Sequence, residues 1–356
     1  MDAVILVGGQ GTRLRPLTVT TKKEMLPTAG VPFLAHLLVR ARDAGVDHAI
    51  LSTPYESAVF ADYFGDGSDL GLRITYVTEA EPLGTGGGIR NVADRLGGDD
   101  FLVFNGDVLS GLDIRTLVAR HQESAAVATL HLTPVEDPRA FGLVPIDASG
   151  RVQAFLEKPQ TPAEIVTDLI NAGCYVFAPS VLDRIPTGRA VSVERETFPA
   201  LLAEGVHVHG HVDATYWRDL GTPASFVTGC SDLVLGRIAS AALPGPTGES
   251  LVLPGASVAA DAVVSGGTTV GARAKVGAGA VVEAAVLFDD VVIGDGAVVR
   301  RSVLGRGVRI GAGSSLDGAV IGDGATIGAG NELVDGARIW PGVILGDTAV
   351  RFSSDR

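Results

Sequence analysis

The sequence has few of the residues and segments that mark secreted, membrane-spanning or nucleic-acid-binding proteins. Only two cysteines, Cys174 and Cys230, occur in 356 residues, so buried thiols are expected rather than a disulfide framework. No apolar run approaches the ~18 residues of a transmembrane helix. The apolar residues 3–7 begin too close to Met1 for a signal peptide. A formal charge of −13 disfavours nucleic acid or an anionic membrane as partner. A cytoplasmic, globular protein is therefore expected.

A glycine-rich stretch follows the first apolar run. Residues 3–7 predict a buried strand, and Gly8, Gly9 and Gly11 predict a tight turn at its carboxyl end. Ligands of open α/β sheets bind at that end of the strands, and glycine N–H groups suit a phosphate. Four cations follow within eleven residues: Arg13, Arg15, Lys22 and Lys23. The stretch predicts a site for a small phosphorylated ligand.

The apolar pattern divides the chain into two regions. Up to about residue 120, short apolar runs alternate with amphipathic stretches, such as the predicted strands His48–Thr53 and Arg73–Thr78 and the predicted helices 33–44 and 89–96. This alternation predicts an α/β fold with a doubly wound, mixed but mostly parallel sheet. Residues 1–236 are predicted to form this domain, and residues 237–250, with their prolines and glycines, a linker.

From residue 251 the sequence is periodic. Seventeen aliphatic residues, the first Leu253 and the last Ile344, recur in steps of six interrupted by steps of five, often with glycine next. This period resembles hexapeptide repeats, which wind a left-handed parallel β-helix, here predicted for residues 251–356. Hexapeptide acyltransferases generally use a histidine base, and all seven histidines lie before residue 212. The predicted β-helix is therefore assigned a structural role in oligomerisation or interdomain contact.

The motifs together resemble one enzyme family. Residues 8–27, GGQGTRLRPLTVTTKKEMLP, are similar to the signature G-G-x-G-T-R-L-x-P-x-T…K of sugar-1-phosphate nucleotidylyltransferases. Further motifs follow in the family's order, and with the β-helix the whole chain looks most like the mannose-1-phosphate guanylyltransferase branch. The resemblance implies a Rossmann-like nucleotidyltransferase domain, Mg²⁺ as cofactor, GTP and a sugar 1-phosphate as substrates, and a homo-oligomer of two or more chains.

The resemblance also implies which residues bind the nucleotide. At the first strand and turn they are Leu6, Gly8, Gly9, Gly11, Thr12 and Arg13. A second glycine cluster, residues 82–88, resembles the base-reading loop and includes Gly84 and Thr85. Glu79 stands where relatives that use thymidine or uridine nucleotides place a glutamine. Its carboxylate can accept from N1–H and N2–H of guanine, which favours GTP; the alternative is a solvated glutamate.

Two aspartates resemble the family's metal ligands: Asp107 in NGD and Asp219 in YWRDLG. Two hard oxygen ligands, completed by substrate phosphates and water, are a typical Mg²⁺ arrangement. The resemblance implies that Arg13 holds the β- and γ-phosphates, and Lys23 the α-phosphate and the incoming sugar phosphate. Four residues are implied for the sugar phosphate: Gly142, Glu157, Lys158 and Asn171.

The chain departs from the family around the lysine of the signature. The family usually has proline on both sides, and here Lys22 and Glu24 replace them. A more mobile loop is therefore expected, and another sugar or cyclitol phosphate, or another nucleotide, stays open as substrate. A non-catalytic regulatory paralogue that senses a nucleotide sugar also stays open. The joint presence of Arg13, Lys23 and the two aspartates favours the enzyme.

Overall fold

The computed structural model describes residues 1–54 and 57–351. Its contacts divide the chain into two compact units. The first contains Met1–Gly8 and Leu37–Trp217, and the second contains Gly9–His36 and Arg218–Arg356. Each unit is therefore built from two separate stretches of the chain, and the glycine-rich turn changes unit after Gly8.

Short strands and helices alternate before residue 236. The strands are β1 (Asp2–Leu6), β2 (Pro27–Thr28), β3 (Val31–Pro32), β4 (His48–Thr53), β5 (Arg73–Thr78), β6 (Phe101–Asn105), β7 (Val108–Ser110), β8 (Ala128–Pro134), β9 (Gly142–Leu143), β10 (Leu156–Glu157), β11 (Leu169–Phe177), β12 (Val208–Val212) and β13 (Trp217–Asp219). The α-helices are α1 (Phe33–Asp43), α2 (Ala58–Phe64), α3 (Gly84–Asn91), α4 (Ile114–Ser124), α5 (Phe198–Ala203) and α6 (Pro223–Val234). No helix in the described ranges is long and apolar enough to cross a membrane.

A mixed sheet of nine strands organises the first unit. Its order is β10, β9, β11, β6, β1, β4, β5, and β8 and β12 continue from β11. β6, β1, β4 and β5 are parallel, whereas β11 is antiparallel to both β6 and β8. The predicted α/β fold is confirmed, with the parallel strands grouped around β1.

The central strands are held by apolar residues on both faces. Val4, Ile50 and Val103 are fully buried in one core, and every residue of β4 is buried. The ring of Tyr175 stacks on that of Phe177, with centroids 5.5 Å apart. Burying each large apolar side chain stabilises the fold by roughly 1.5–3 kcal/mol. This packing fixes the register of β1, β4 and β6, and with it the position of their carboxyl ends.

The predicted helix 89–96 is wrong at both ends. α3 begins at Gly84 and ends at Asn91, and a 3₁₀ turn, Ala93–Arg95, follows. Glycine has low helix propensity, so the glycine cluster hides the start of α3 in the sequence. In the structure the same glycines allow close packing, since a Cβ on Gly87 would lie 3.0 Å from the Arg189 carbonyl oxygen.

The periodic region forms a parallel β-helix. Its strands are β14 (Ser250–Val252), β15 (Ser257–Val258), β16 (Val263–Ser265), β17 (Thr268–Val270), β18 (Lys275–Val276), β19 (Val281–Glu283), β20 (Val286–Leu287), β21 (Val292–Ile293), β22 (Val298–Arg300), β23 (Val303–Leu304), β24 (Arg309–Ile310), β25 (Ser315–Asp317), β26 (Val320–Ile321), β27 (Thr326–Ile327), β28 (Glu332–Leu333), β29 (Arg338–Ile339) and β30 (Ile344–Leu345). Every third strand pairs in parallel, which gives three sheets and confirms the predicted architecture.

The aliphatic residues of the repeat stack in columns inside the β-helix. Val270 pairs with Leu287, and Leu287 with Leu304, and each is almost completely buried. The last predicted position is wrong by one residue. Leu345 pairs with Ile327, whereas Ile344 is 77% exposed. The final coil is one residue longer than the predicted spacing, so the column shifts to the next residue.

Aspartates at the corners join neighbouring coils. Oδ1 of Asp295 accepts a hydrogen bond from the Ala278 N–H at 2.9 Å. Oδ1 of Asp323 accepts from the Arg306 N–H at 2.8 Å. In both pairs the donor precedes the aspartate by 17 residues, one coil earlier. These bonds satisfy backbone donors that the corners would otherwise leave unpaired.

Candidate active site

The carboxyl ends of four parallel strands meet at one edge of the sheet. Leu6, the last residue of β1, pairs with Asn105 at the end of β6. The Glu79 N–H donates to the Thr53 carbonyl oxygen at 2.8 Å and so ties the residue after β5 to β4. Ligands of open α/β sheets bind at this edge. It contains the predicted site residues Leu6 and Glu79, and Asp107 follows in the next turn.

The glycine-rich turn leaves β1 at this edge. Gly9 and Gly11 have φ angles of 94° and 56°, in the region that favours glycine. The Gly11 carbonyl accepts from the Thr18 hydroxyl at 2.7 Å, which closes the turn on itself, and Leu14 is fully buried. The predicted phosphate ligands of the turn are exposed or partly exposed: Gly8, Gly9, Gly11, Thr12 and Arg13.

Arg13 and Asp219 come together in the second unit. Nη2 of Arg13 lies 3.8 Å from Oδ1 of Asp219, which also accepts from the Gly221 N–H at 2.7 Å. A Cβ on Gly221 would lie 2.5 Å from Oδ1 of Asp219 and would also collide with Nη2 of Arg13, so a larger residue there would displace these side chains. The Arg13 side chain is 64% exposed, and its guanidinium has five N–H donors. Contact with Asp219 therefore leaves donors for a phosphate.

Lys23 begins a 3₁₀ turn, Lys23–Met25. Nζ of Lys23 lies 4.0 Å from Oε1 of Glu24, whose side chain is buried. Lys22 has φ −65° and ψ 145°, and this φ is the value that a proline ring would impose. The backbone at Lys22 therefore matches the family's proline although the residue differs. The predicted greater mobility of this loop stays a prediction.

Asp107 lies in the turn between β6 and β7. The Gly106 N–H donates to the Leu6 carbonyl oxygen at 3.0 Å, and a Cβ on Gly106 would lie 2.6 Å from that oxygen. Glycine thus brings the Asp107 turn against the end of β1. Asn105 was not predicted as a site residue. Its Oδ1 is buried and has no hydrogen-bond partner within residues 1–54 and 57–351. The sequence signal that could have identified Asn105 is its place as a polar residue at the end of an apolar strand.

Glu79 is buried, with 7% of the residue exposed. Its Oε1 accepts from the Ser52 hydroxyl at 3.0 Å, and its Oε2 accepts from the Leu83 N–H at 2.8 Å. The alternative of a solvated glutamate is therefore wrong. Each carboxylate oxygen can accept a second hydrogen bond, so these contacts are compatible with a guanine. Recognition of the base by Glu79 stays a prediction.

Gly84 and Thr85 form the first turn of α3. The Thr85 hydroxyl donates to Oε2 of Glu194 at 2.8 Å and accepts from the Val193 N–H at 2.9 Å. A Cβ on Gly84 would lie 2.7 Å from the Val191 carbonyl oxygen. The glycine cluster thus packs against residues 191–194, a contact that the sequence did not predict. The role of both residues in nucleotide binding stays a prediction.

Three of the residues predicted for the sugar phosphate lie together. Gly142 of β9 pairs with Glu157 of β10, and a Cβ on Gly142 would lie 2.7 Å from Oε2 of Glu157. Nζ of Lys158 is 3.6 Å from Oε1 of Glu157, and the Lys158 N–H donates to the Phe141 carbonyl oxygen at 3.1 Å. This short ribbon presents a carboxylate and an ammonium side by side.

The fourth, Asn171, is fixed by its own strand. Its Nδ2 donates to the Tyr175 hydroxyl oxygen at 2.7 Å, and its Oδ1 accepts from the Gly173 N–H at 3.1 Å. Burial raises the pKa of Tyr175 well above its ordinary value, so the hydroxyl stays protonated. β11 changes register between Asn171 and Tyr175. A Cβ on Gly173 would lie 2.8 Å from Nδ2 of Asn105, so this bulge adjoins the end of β6.

The donor groups fit Mg²⁺ only with help from a substrate. No three His, Cys, Asp or Glu side chains in the described ranges form a group that could hold a metal ion. Asp107 and Asp219 supply hard carboxylate oxygens. Mg²⁺ usually keeps several waters and binds through one or two carboxylates plus substrate phosphates. A carboxylate therefore suits an ion that arrives with a nucleotide, and Asp107 and Asp219 as its ligands stay a prediction.

Comparison with known families places the chain among the nucleotidyl transferases. The family model described as nucleotidyl transferase matches residues 2–234. The chain belongs to the nucleotidyl transferase family. The model of the GMPPB C-terminal domain matches residues 247–341, which include most of the β-helix. The predicted resemblance to sugar-1-phosphate nucleotidylyltransferases is confirmed.

Two relatives narrow the comparison within the nucleotidyl transferases. The chain is 61% identical to a mannose-1-phosphate guanylyltransferase of Mycobacterium tuberculosis over 356 residues, which cover 100% of the chain and 98% of the relative. It is 35% identical over 291 residues to probable mannose-1-phosphate guanylyltransferase 1 of Oryza sativa subsp. japonica, a match that covers 80% of the chain and 79% of that relative. The predicted type of enzyme, a mannose-1-phosphate guanylyltransferase-type nucleotidyltransferase, is confirmed.

Two solved structures share the fold over about two thirds of the chain. A putative glucose-1-phosphate thymidylyltransferase from Bacillus anthracis matches with a TM-score of 0.60 and 26% identity, covering 67% of this chain and 96% of that one. HddC from Yersinia pseudotuberculosis, in a complex with GMP-PN, matches with a TM-score of 0.56 and 28% identity. This match covers 65% of this chain and 98% of HddC.

Proposed function

We propose that this nucleotidyl transferase moves a guanylyl group from GTP to α-D-mannose 1-phosphate, giving GDP-mannose and pyrophosphate. The observation that carries the proposal is the 61% identity, over the full chain, with the mannose-1-phosphate guanylyltransferase of M. tuberculosis. That match includes the β-helix as well as the nucleotidyl transferase region. The buried carboxylate of Glu79 at the strand edge supports a guanine-containing nucleotide.

The reaction needs no nucleophilic side chain. The phosphate of a sugar 1-phosphate is largely ionised at neutral pH, since the second pKa of a phosphate monoester is about 6. One of its oxygens attacks the α-phosphorus of GTP, the new P–O bond forms, and the bond to the β-phosphate oxygen breaks in line. Pyrophosphate leaves with that electron pair. The protein contributes positioning and charge neutralisation.

The cations of the glycine-rich loop supply the positioning. Arg13 holds the β- and γ-phosphates through its exposed guanidinium, and Lys23 holds the α-phosphate and the incoming sugar phosphate. Both act on charge that moves from the sugar phosphate to pyrophosphate during the reaction. Mg²⁺, held by Asp107 and Asp219, would supply further neutralisation of the phosphates.

The sugar is held by the β9–β10 ribbon and β11. Glu157 accepts from sugar hydroxyls, and Lys158, 3.6 Å from its carboxylate, binds the sugar phosphate. Gly142 leaves room for the sugar next to Glu157. Asn171 contacts sugar hydroxyls, and its bond to Tyr175 limits its side-chain rotation. These roles follow the predicted motifs, with the observed contacts as support.

The experiment is the release of pyrophosphate, measured over a grid of nucleoside triphosphates and sugar 1-phosphates with Mg²⁺. Highest kcat/KM for GTP with mannose 1-phosphate is expected. Preference for another sugar or nucleotide would reject the stated substrates. No turnover in any combination, together with tight binding of GDP-mannose, would identify the regulatory alternative instead. The homo-oligomer, the cytoplasmic location and the domain boundaries at residues 236 and 251 are kept as predictions.

A further inference from the structure

The second unit joins the glycine-rich loop to the far end of the β-helix. The Thr20 hydroxyl donates to Oδ2 of Asp323 at 2.8 Å, across 303 residues of chain. Nη1 of Arg338 donates to the Arg15 carbonyl oxygen at 2.7 Å, across 323 residues. Both partners in the β-helix lie in its last coils, and nothing in the glycine-rich motif predicts either contact.

The two bonds enclose a single 3₁₀ turn of the loop, Leu17–Val19. The bond from Arg338 holds the backbone just before this turn, at Arg15, and the bond to Asp323 holds the residue just after it, Thr20. This 3₁₀ turn also holds the predicted phosphate-binding glycines, because the Thr18 hydroxyl donates to the Gly11 carbonyl oxygen at 2.7 Å. The fixed segment therefore lies between Arg13 and Lys23, the two predicted catalytic cations.

Asp323 differs from the other corner aspartates in what its second oxygen does. Its Oδ1 makes the coil-joining bond to the Arg306 N–H, as Oδ1 of Asp295 does to the Ala278 N–H. Its Oδ2 then accepts from the loop. One carboxylate thus belongs both to the stack of coils and to the contact with the loop, so a rigid scaffold sets the position of Thr20.

We propose that Asp323 and Arg338 are positioning residues for the phosphate-binding loop, so that the β-helix takes part in nucleotide binding in addition to its predicted role in assembly. The inference rests on the proposed function for its kinetic consequence. Neither side chain is placed next to a substrate. They act by keeping residues 15–20 in the one conformation that presents Arg13 and Lys23 together.

The kinetic signature follows from preorganisation. When a binding-competent conformation is populated only in part, the apparent dissociation constant rises by the inverse of that fraction. Each bond is exposed and modest in strength, so its loss should raise the KM for GTP roughly three- to tenfold. The kcat at saturating GTP should change less than twofold, because bound nucleotide restores the loop. Simple loss of folded enzyme would instead lower kcat and leave KM unchanged.

The variants separate the contact from the stability of the coils. Thr20→Val removes the hydroxyl but keeps the shape, whereas Thr20→Ser keeps the hydroxyl and should restore the KM. Asp323→Ala removes both bonds of the carboxylate, and the matched control Asp295→Ala removes only a coil-joining bond. Arg338→Met removes the second contact. Thr20→Val combined with Asp323→Ala should show a KM little above that of Asp323→Ala alone, since both delete the bond between Thr20 and Asp323. The valine variant also loses a longer bond, 3.4 Å, from the Thr20 hydroxyl to the Leu17 carbonyl oxygen within the same turn.

Hydrogen exchange of the full-length protein without substrates tests the contact separately from the activity. Amides of residues 15–20 should exchange faster in Asp323→Ala and Thr20→Val than in Asp295→Ala. Faster exchange in an enzyme that shows no guanylyl transfer would reject the proposed function and still support the loop contact. Unchanged exchange, or an equal rise in KM in Asp295→Ala, would overturn the inference whether or not the enzyme is active.

Discussion

The nine-stranded sheet and the β-helix use their residues in opposite ways. In the β-helix one set of contacts repeats from coil to coil: a buried aliphatic column, a corner glycine and an aspartate bond to the coil before. In the sheet each candidate site residue has its own partner, such as Ser52 and Leu83 for Glu79 or Tyr175 for Asn171. In the β-helix many equivalent residues therefore share the stabilisation of the fold. In the sheet a few individually held residues form the candidate site.

The largest effect is expected from the predicted metal ligands. Asp107→Asn and Asp219→Asn should each lower the Mg²⁺-dependent kcat by about 10³-fold or more, because each removes a carboxylate that would hold the Mg²⁺ ion, whose charge neutralises the phosphates. The unfolding temperature should change little, since an asparagine oxygen can still accept from the Gly221 N–H. Pyrophosphate release and thermal unfolding measure the two quantities. Near-normal rates in either variant would reject that residue as a ligand.

The β-helix should show the reverse, a loss of stability without a change of chemistry. Leu287 is 1% exposed in the aliphatic column, and Leu287→Ala should lower the free energy of unfolding by about 2–5 kcal/mol. Ile344→Ala, at the 77% exposed position, is the control and should change it by less than about 0.5 kcal/mol. Denaturant unfolding checks both. Equal effects would contradict the observed register of the last coil.

Acid should destabilise the sheet unit, which contains the buried His131. Burial is the main cause that lowers the pKa of His131 to about 4. The positive charges of nearby His211 and Arg40 also lower this pKa, whereas the negative charge of Asp213 opposes the shift. Because the folded-state pKa is below the ordinary 6.5, the unfolded chain binds the proton first as pH falls. Stability is therefore complete above about pH 6.5 and declines towards about pH 4, by up to about 1.4 kcal/mol per pH unit.

The variant His131→Leu should flatten this part of the pH profile. Both ring nitrogens of His131 are buried and make no hydrogen bond of ordinary geometry in the described ranges. The Asp213 backbone, which favours the charged ring, is therefore the contact that leucine weakens there. His207→Leu, at a partly exposed position on the same flank, serves as control. Urea midpoints at pH 7 and pH 5 compare the three proteins. An undiminished pH dependence in His131→Leu would assign the acid sensitivity to other groups.

The smallest of these effects concerns base preference. If Glu79 accepts from guanine N1–H and N2–H, Glu79→Gln should reduce the ratio of kcat/KM for GTP over UTP by about one to two orders of magnitude. The fold should tolerate the change, because an amide can accept from the Leu83 N–H and donate to the Ser52 hydroxyl. Mannose 1-phosphate preference should not move. A constant nucleotide ratio would leave base recognition to the backbone of residues 83–88.

Sequence patterns predicted the parts of the molecule that are fixed by local periodicity. β4 and β5 have the predicted bounds, and the repeat predicted the columns of the β-helix from Val258 to Ile339. At the start of the β-helix Val252, rather than the predicted Leu253, pairs with Val270. The failures share a physical cause. The start of α3 depends on packing against residues 191–194, about a hundred positions later, and the shift at Ile344 depends on the pairing of β30 with β27. Contacts between distant segments leave no period in the sequence.

Contacts between distant segments also limited what the sequence could predict of the candidate site. The resemblance to the family predicted Glu79 and Asp107, and both residues follow an apolar strand that is visible in the sequence. The partners that orient the candidate site residues were not visible. Tyr175, which accepts from Asn171, has the appearance of an ordinary core aromatic. Partners of this kind are assigned only when the fold brings them together.

The bonds from Thr20 to Asp323 and from Arg338 to Arg15 also have a consequence for biosynthesis. The loop is translated more than 300 residues before the coils that hold it. At about 5–20 residues per second, the nascent loop waits about 15–60 s for its partners. A ribosome that stops before the last coils releases a chain with every loop residue present and its outer attachment missing. Both hydrogen bonds to the loop form only after the C-terminal coils have been translated. The last-translated residues therefore help to fix the conformation of the N-terminal loop.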